Sequence, residues 1–457
     1  MYPYPPPPAP PRRNATWLIV GLVGAVVLVV VLAIAVVLIV RPFARSNDVP
    51  AVSYSGTLGV PGQHLLAPMA AQPSPGWRLD LKGLLPGSVT PKAESFVGRI
   101  EDTGYFVVAD YKGGSGLPEM WVLGVDVTSG TPTFPPVRLS GWGEVTCYLN
   151  GPRRVLCLQH AGDDETFDAY VIDSERGAVL SHAPTRLSPF DVRQVGDYAV
   201  AVQDDTGAHG IGDQAQLTWS VTGTSVLLSE VDGRYFPGDP PANVAVLTTD
   251  GPDRAFSAVD GTVLVQSDGR IEPFVGGVVV QSQPGTNAFD VYDDHGGVVG
   301  HYAAPGRHTA VSTGPGQLPE VALDLDGTQV VLDPRGVPMA VLKTTTLRNS
   351  RIIGSALFTT TDVNPTGETE WEKFDLKTGQ RVSTCRGLPL GQREYIGSDG
   401  NVVIGAFGLP NESRTLVAVD TDTCGNAWTI DDLADAWSVG STLVQSRPAT
   451  GELVGLG

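Results

Sequence analysis

Residues 416–430, Leu-Val-Ala-Val-Asp-Thr-Asp-Thr-Cys-Gly-Asn-Ala-Trp-Thr-Ile, contain the pattern that decides the predicted fold. An apolar strand ends at Asp420, Gly425 follows in a short turn, and a second strand carries Trp428. In such a turn the aspartate accepts backbone hydrogen bonds and the glycine provides a positive φ angle. The segment therefore predicts a β-hairpin.

This hairpin pattern recurs along the chain, each time as an apolar strand that ends in Asp and is followed by Gly. Its repeat-motif residues are Asp126 with Gly130, Asp173 with Gly177, Asp293 with Gly297, Asp375 with Gly379, and Asp420 with Gly425. Weaker copies end at Asp260 and Asp333, and residues 217–221 form a strand where one more copy is expected. These eight copies of the pattern span 294 residues from Asp126 to Asp420, and the seven intervals between them give an average period of 42 residues.

A period of about 40 to 45 residues with roughly four strands per unit is typical of a β-propeller. We therefore predict an all-β fold, a β-propeller of eight blades or alternatively seven. Closure of the ring requires the two chain ends to share a blade, and residues 77–81 with 442–445 and 453–454 are the candidate strands.

The segment from Leu416 to Trp428 resembles the blade motif of PQQ-like propellers, the group that includes quinoprotein dehydrogenases and the outer-membrane assembly lipoprotein. The dehydrogenases hold their cofactor with a vicinal cysteine pair and a calcium site. This chain has no adjacent cysteines, and it lacks the common hydrolase, zinc-protease and nucleotide-binding signatures. We therefore assign no catalytic, cofactor-binding or metal residue, because function must be argued from a site.

An uncharged run of 24 residues, Trp17 to Val40, predicts a membrane-spanning helix because about 20 apolar residues cross the hydrocarbon layer. The predicted organisation is a proline-rich cytoplasmic tail at 1–15, a transmembrane helix at 16–41, a flexible linker at 42–75, and the β-propeller domain at 76–457. Basic residues flank both ends of the helix equally, so the positive-inside rule leaves its orientation open.

The four cysteines resolve the orientation. Cys147 and Cys157 flank an Asn-Gly-Pro turn and are expected to form a cross-strand disulfide, and Cys385 would then pair with Cys424. This is one of the three pairings that four cysteines allow. An even number of cysteines at such spacings favours disulfides and an oxidising compartment. We therefore expect a single-pass protein of the cell membrane with its C-terminal domain outside the cytoplasm.

The charge of the chain limits its partners. All 49 acidic residues lie beyond residue 45, with 26 of the 30 basic residues, so this part has a formal net charge of −23. Such a domain repels nucleic acid. The acidic segments 163–168 and 324–333 could collect a cation, but solvated turn residues explain them better.

Three functions are compatible with these features. The first is a noncatalytic binding or scaffolding module whose partner is an envelope protein or a cell-wall polymer. The second is an extracytoplasmic enzyme, either dehydrogenase-like or glycan-cleaving. The third is a ligand sensor that signals through the predicted helix. The first agrees best with a propeller that carries no catalytic signature.

Overall fold

The computed structural model of the chain contains nine antiparallel sheets that follow one another in sequence. It describes residues 54–457 except 90, 112–116, 142, 161–165, 204–205, 224–226, 230–237, 249–250, 282–286, 304–308, 312–316, 324–327, 344–349, 361–368, 392–393, 409–413 and 434. Residues 51–457 form one compact unit. Each sheet is one blade, numbered here in chain order.

The first four blades use consecutive strands. Blade 1 contains β2 (Pro91–Ile100), β3 (Thr103–Asp110), β4 (Glu119–Asp126), β5 (Thr131–Pro132) and β6 (Val137–Leu139). Blade 2 contains β7 (Val145–Leu149), β8 (Arg154–His160), β9 (Phe167–Asp173) and β10 (Val179–Thr185). Blade 3 contains β11 (Val192–Val195), β12 (Tyr198–Gln203), β13 (Gly207–Ile211) and β14 (Leu217–Val221). Blade 4 contains β15 (Leu227–Ser229), β16 (Val244–Leu247), β17 (Asp253–Ser257) and β18 (Val263–Ser267).

The next four blades repeat this arrangement. Blade 5 contains β19 (Ile271–Phe274), β20 (Gly277–Gln281), β21 (Ala288–Asp293) and β22 (Val298–Ala303). Blade 6 contains β23 (Thr309–Val311), β24 (Glu320–Leu323), β25 (Thr328–Leu332) and β26 (Pro338–Lys343). Blade 7 contains β27 (Ser350–Ile353), β28 (Ala356–Thr360), β29 (Glu370–Asp375) and β30 (Arg381–Arg386). Blade 8 contains β31 (Tyr395–Ser398), β32 (Val402–Phe407), β33 (Arg414–Asp420) and β34 (Asn426–Leu433).

Blade 9 closes the ring with strands from both ends of the chain. It contains β35 (Asp435–Val439), β36 (Thr442–Arg447) and β37 (Glu452–Leu456), followed by β1 (Pro75–Asp80) as its fourth strand. Strand β1 runs antiparallel to β37, with Arg78 opposite Val454 and Leu79 opposite Leu453. The short helix α1 (Leu81–Leu84) then leads into blade 1. The predicted sharing of one blade by the two chain ends is confirmed.

The predicted blade number, eight or alternatively seven, is wrong, because there are nine. The repeat motif marks the turn between the third and fourth strands of a blade, and blades 1 to 8 each have such a turn. Blade 9 has none, because its fourth strand is β1. The period was therefore measured correctly, but the blade that closes the ring carries no mark.

The repeat-motif aspartates perform their predicted role. The Asp126 carboxylate accepts hydrogen bonds from the backbone N–H of Thr128 (2.8 Å) and Ser129 (3.1 Å), and Gly130 has φ +73°. The same pattern of backbone bonds and a glycine at positive φ occurs at Asp173 with Gly177 and at Asp375 with Gly379.

Two of the predicted glycines differ from this pattern. In blade 5 the residue with positive φ is Gly296 (φ +80°) rather than Gly297, because the turn after Asp293 is one residue tighter. In blade 8 it is Cys424 (φ +58°), which takes the place four residues after Asp420, while Gly425 lies one residue beyond. The role of the positive-φ residue was therefore assigned one position too late in both turns.

The predicted transmembrane helix at 16–41 and the proline-rich tail at 1–15 lie outside the described residues. Within the described part of the chain, every helix is too short or too polar to cross a membrane. The fold that the described residues support is therefore a nine-bladed propeller.

The core lies between neighbouring blades. Tyr105 and Val122 of blade 1, for example, share a buried cluster with Val155 and Ile172 of blade 2. The fourth strands are the most exposed, as in β10 and β22, and so form the perimeter. Because each sheet is an antiparallel meander, its strand 1–2 and 3–4 turns lie on one face of the ring, the turn face. The strand 2–3 loops and the connections between blades lie on the opposite face, the loop face.

Candidate functional site

The segment before β1 lies along the turn face. The linker was predicted to be flexible, but its described part, residues 54–74, forms hydrogen bonds to several blades, and we call residues 54–69 the strap. The Tyr54 hydroxyl donates to the Asp333 carboxylate in blade 6 (3.1 Å). Gly59, at φ +89°, lies so close to blade 7 that an added Cβ would be 2.0 Å from the Gly354 carbonyl oxygen. Only glycine fits there.

The second half of the strap binds blades 8 and 9. The Leu66 N–H donates to the Ser398 carbonyl (2.8 Å), and the Ala67 N–H donates to the Ser441 carbonyl (2.9 Å). The Met69 carbonyl accepts from the Trp428 indole N–H (2.7 Å). Trp428, the tryptophan of the best repeat motif, therefore fastens the strap to blade 8.

A buried polar group, the clasp, joins the strap to three blades. It consists of Gln63 of the strap, Asp239 of blade 4, Gln317 of blade 6 and the backbone of Ile352 in blade 7. The two Asp239 oxygens each accept one amide N–H, from Gln63 (2.7 Å) and from Gln317 (2.7 Å). Both amides also donate to the Ile352 carbonyl, at 2.9 and 3.0 Å.

The backbone fixes the orientation of both glutamine amides. The Gln63 carbonyl oxygen accepts from the Gly354 N–H (2.8 Å), and the Gln317 carbonyl oxygen accepts from the Ile352 N–H (2.6 Å). Each amide must therefore turn its NH₂ group toward Asp239. Position 239 consequently requires a side chain that accepts twice, which is a property of a carboxylate.

Burial and hydrogen bonding act in opposite directions on Asp239. Loss of water raises the pKa of this carboxyl to about 6, while the Gln63 and Gln317 amides and the positive charge of Arg351 lower it. Arg351 is itself buried and lies 3.8 Å over the ring of Tyr395 in blade 8. Burial lowers the pKa of the Arg351 guanidinium and raises that of the Tyr395 hydroxyl.

The clasp is a structural connection rather than a reaction centre. Asp239, Gln317 and Arg351 are 7%, 1% and 3% exposed, so a substrate does not reach them. Blades 4 and 7 are three positions apart in the ring, so the clasp connects blades that are not neighbours. The turn face is thus bridged by the strap and the clasp.

The loop face has the properties of a binding surface. Its strand 2–3 connections reach eight residues at 111–118 and nine at 361–369. On the turn face several turns have two residues, such as 101–102 and 354–355, and the long strand 1–2 connections, 230–243 and 312–319, supply Asp239 and Gln317 to the clasp. Loops on a rigid scaffold commonly carry function. The side chains of Tyr111 (45% exposed), Leu117 (61%) and Phe190 (81%) lie at this face.

Both predicted disulfides are present. Cys147 and Cys157 face each other on β7 and β8 of blade 2, with their Cα atoms 4.0 Å apart. Cys385 of β30 in blade 7 bonds to Cys424 in the strand 3–4 turn of blade 8, with a Cα separation of 5.4 Å. The second disulfide therefore fastens two neighbouring blades at the perimeter, and all four cysteines are paired.

One group of possible metal ligands occurs among the described residues. Asp293, Asp294 and His295 converge in the strand 3–4 turn of blade 5, where the last two are exposed. The Asp293 carboxylate already accepts the N–H groups of His295 and Gly297, as a turn aspartate does. The acidic residues 163–165 and 324–326 lie outside the described residues, and Asp333 bonds to Tyr54 and Arg335.

The sequence analysis missed the strap and the clasp. Gln63 lies in a segment rich in Gly and Pro, and Asp239 is enclosed by Gly238 and Pro240. Both surroundings indicate solvated loops. A possible signal was the scarcity of charge from residue 49 to 76, where His64 is the one titratable side chain apart from Tyr54. Such a segment is as suited to packing on a surface as to linking domains.

The comparisons with known proteins agree with this architecture. Residues 51–457 match the family described as "Conjugation-associated 9-bladed beta-propeller domain". A protein of Mycolicibacterium smegmatis (strain MKD8), titled an uncharacterized protein, is 29% identical over 475 residues, which cover 95% of each chain. The resemblance to PQQ-like propellers is not confirmed by these matches.

Solved structures give weaker matches. A crystal structure of a eukaryotic initiation factor has a TM-score of 0.43 at 12% identity, covering 74% of this chain and 88% of that one. The WD40 domain of SCAP from fission yeast has a TM-score of 0.41 at 10% identity, covering 83% and 98%. Likenesses at this level carry no functional argument.

Proposed function

Because this chain belongs to the family of conjugation-associated nine-bladed β-propeller domains, we propose that it is a noncatalytic scaffold of a conjugation apparatus. Its partners are protein components in the cell envelope, and it binds them through the loop face. The proposal depends on one observation above all, which is the difference between the two faces of the ring.

The strap and the clasp cover part of the turn face. The strap follows it from blade 6 to blades 8 and 9, and the clasp adds blade 4. The loop face carries two long strand 2–3 connections and several exposed apolar side chains, whereas the longest connection of the turn face, residues 230–243, contributes Asp239 to the clasp. Besides Tyr111, Leu117 and Phe190, the exposed side chains of the loop face include Phe407 (37% exposed) at the end of β32 and Val89 (52%) before β2.

Charge and cysteine chemistry support the class of partner and the location. The net charge of −23 beyond residue 45 disfavours direct binding of the transferred DNA, so a protein partner fits better. Two disulfides support a place outside the cytoplasm, because thiol-reducing systems act against disulfides in the cytosol.

Site-specific photo-crosslinking in mating cells tests the proposed face. The photoreactive amino acid replaces Tyr111, Phe190 or Phe407 on the loop face, and Val259 (50% exposed) or Lys377 on the turn face as controls. We expect covalent adducts with envelope proteins at the loop-face positions and none at the control positions. Adducts confined to the turn face would contradict the proposal.

Substitutions on the loop face test whether this surface is needed for DNA transfer. We expect Leu117→Asp and Phe190→Asp each to lower DNA-transfer frequency by about tenfold or more, because apolar anchors carry most of the binding energy of an interface. Val259→Asp, at an apolar residue of the turn face that is 50% exposed, is the control and should leave transfer unchanged. Unaltered thermal unfolding shows that the variants fold. Normal transfer in both loop-face variants would refute the role of this surface.

A further inference from the structure

The interface between blades 6 and 7 contains buried oxygen atoms without partners. Both carboxylate oxygens of Glu320 and the side-chain carbonyl oxygen of Gln329 are inaccessible to solvent and receive no hydrogen bond from any described residue. Glu320 is 2% exposed and Gln329 is 7% exposed. A buried polar atom without a partner costs free energy, and an isolated buried carboxylate costs most.

Strand register places these oxygens on one face of blade 6. Glu320 on β24 is opposite Val331 on β25, and Gln329 lies two residues before Val331. Residues two apart on a strand point to the same face, and diagonal neighbours with long side chains reach each other. Val331 packs in a buried cluster with Ile352 and Leu357 of blade 7. Glu320 and Gln329 therefore point into the space between blades 6 and 7.

Blade 7 adds oxygen atoms from the other side of this space. Ser350 and Thr359 are opposite each other on β27 and β28, two residues from the Ile352–Leu357 pair, so they share its face. They are 6% and 0% exposed. The space thus has a carboxylate and an amide on one wall and two hydroxyl groups on the other.

We propose that this interface between blades 6 and 7 binds one alkali metal cation, sodium or potassium, through the oxygen atoms of Glu320 and Gln329. All three atoms without partners are acceptors, so each of them requires either a hydrogen-bond donor or a cation. A proton on Glu320 that is donated to Gln329 leaves the second Glu320 oxygen without a partner. A metal ion between the side chains serves all three oxygens at once.

Charge balance decides the type of cation. No other ionisable group contributes to the pKa of the Glu320 carboxyl, which burial alone raises to about 8. A single negative charge in a dry site is neutralised by a monovalent ion, whereas a divalent ion leaves an excess buried charge. Calcium sites in proteins also collect six to eight oxygens and several carboxylates. The three oxygen atoms without partners suit a hard cation of low charge.

The test measures thermal unfolding of the whole protein after exchange into choline chloride, with sodium or potassium chloride replacing it at constant ionic strength. We expect Tm to rise by about 3 °C or more with one of the two alkali ions and to saturate, as for a ligand of the folded state. Glu320→Gln should abolish the rise. The matched control is Glu272→Gln, at a partly buried glutamate that already has Arg270 as partner, and it should keep the rise.

A second variant and a direct measurement cover the case in which Glu320→Gln does not fold. Gln329→Met removes one oxygen and should reduce the cation-dependent rise, and ²³Na NMR of the unmutated protein should show broadened sodium that potassium displaces. Equal Tm in all chloride salts without sodium broadening would overturn the proposal. So would a Glu320-dependent rise with magnesium or calcium alone, or a stability that follows pH but not the cation, which indicates a proton instead.

Discussion

The substitution Asp239→Asn tests the balance of forces inside the clasp. Asparagine has nearly the same shape as aspartate but does not titrate, and it presents one NH₂ group to an amide NH₂ of Gln63 or Gln317. Because both glutamines are held by backbone N–H groups, neither can turn its carbonyl toward the new donor. We expect a destabilisation of about 1–3 kcal/mol that is present at every pH.

The pH-dependent part of the effect has a definite sign and size. The pKa of Asp239 is raised from 3.8 to about 6, so the folded state holds a proton that the unfolded state has lost between these values. The stability linked to this carboxyl is complete below pH 3.8 and is lost as pH rises through 6. The loss amounts to about 3 kcal/mol, of which about 2.5 kcal/mol falls between pH 4 and pH 7.5.

The assay is urea unfolding followed by tryptophan fluorescence at pH 4, 5, 6 and 7.5. The difference in free energy of unfolding between the unmutated protein and Asp239→Asn should shrink by about 2.5 kcal/mol across this range. Asp126→Asn is the control. Hydrogen bonds from Thr128 lower the pKa of Asp126, so its difference in free energy of unfolding should not shrink as the pH rises. A difference that stays constant for Asp239→Asn, or that grows with pH, would refute the reasoning.

Three further predictions concern the ring, its disulfides and its turns. Removing residues 437–457 takes away most of blade 9 and the partner of β1, so we expect loss of soluble monomer in size-exclusion chromatography; an unchanged Tm would contradict ring closure. Cys385→Ser should lower the free energy of unfolding by about 4 kcal/mol and Cys147→Ser by about 3 kcal/mol, because the first disulfide closes a loop of 39 residues and the second one of 10; chemical unfolding measures the order. Gly130→Ala places a Cβ 2.6 Å from the Trp77 ring at φ +73° and should cost at least about 2 kcal/mol, while Gly87→Ala, at φ +70° with no atom within 4 Å, should cost about 1 kcal/mol. Equal costs for the two glycine variants would show that the contact with Trp77 does not matter.

Local chemistry made much of the fold predictable. The aspartate turns, the apolar strands and the cross-strand cysteines are short-range patterns, and each depends on residues a few positions apart. Cys147 and Cys157 are opposite each other because a hairpin joins their strands. The ring closure was also predictable, because a closed propeller requires the two chain ends to share a blade.

The blade number and the candidate site depend on contacts that sequence periodicity does not encode. Blade 9 lacks the marked turn because its fourth strand comes from residues 75–80. The clasp joins residues separated by 176 and 78 positions, Gln63 with Asp239 and Asp239 with Gln317. A polar residue beside glycine and proline indicates an exposed loop unless its distant partners are known. The two faces could be distinguished only once the strands were placed, because the strand order decides on which side each connection lies.

The order of contacts along the strap has a mechanical consequence for a scaffold. From the N-terminal side, Tyr54 binds blade 6, Gln63 binds blades 4 and 7, and Leu66 and Ala67 bind blades 8 and 9 before the chain enters β1. A force applied ahead of residue 54 therefore acts on the strap before it reaches the β1–β37 pairing that closes the ring. Trp428 is the last of these attachments. We expect Trp428→Phe to lower the unfolding free energy by about 1 kcal/mol in urea and, under force applied at the N-terminus, to lower the force at which β1 detaches. The same force applied at residue 75 should give equal detachment forces in both proteins; if the two also agree when pulled from the N-terminus, the strap does not protect the closure.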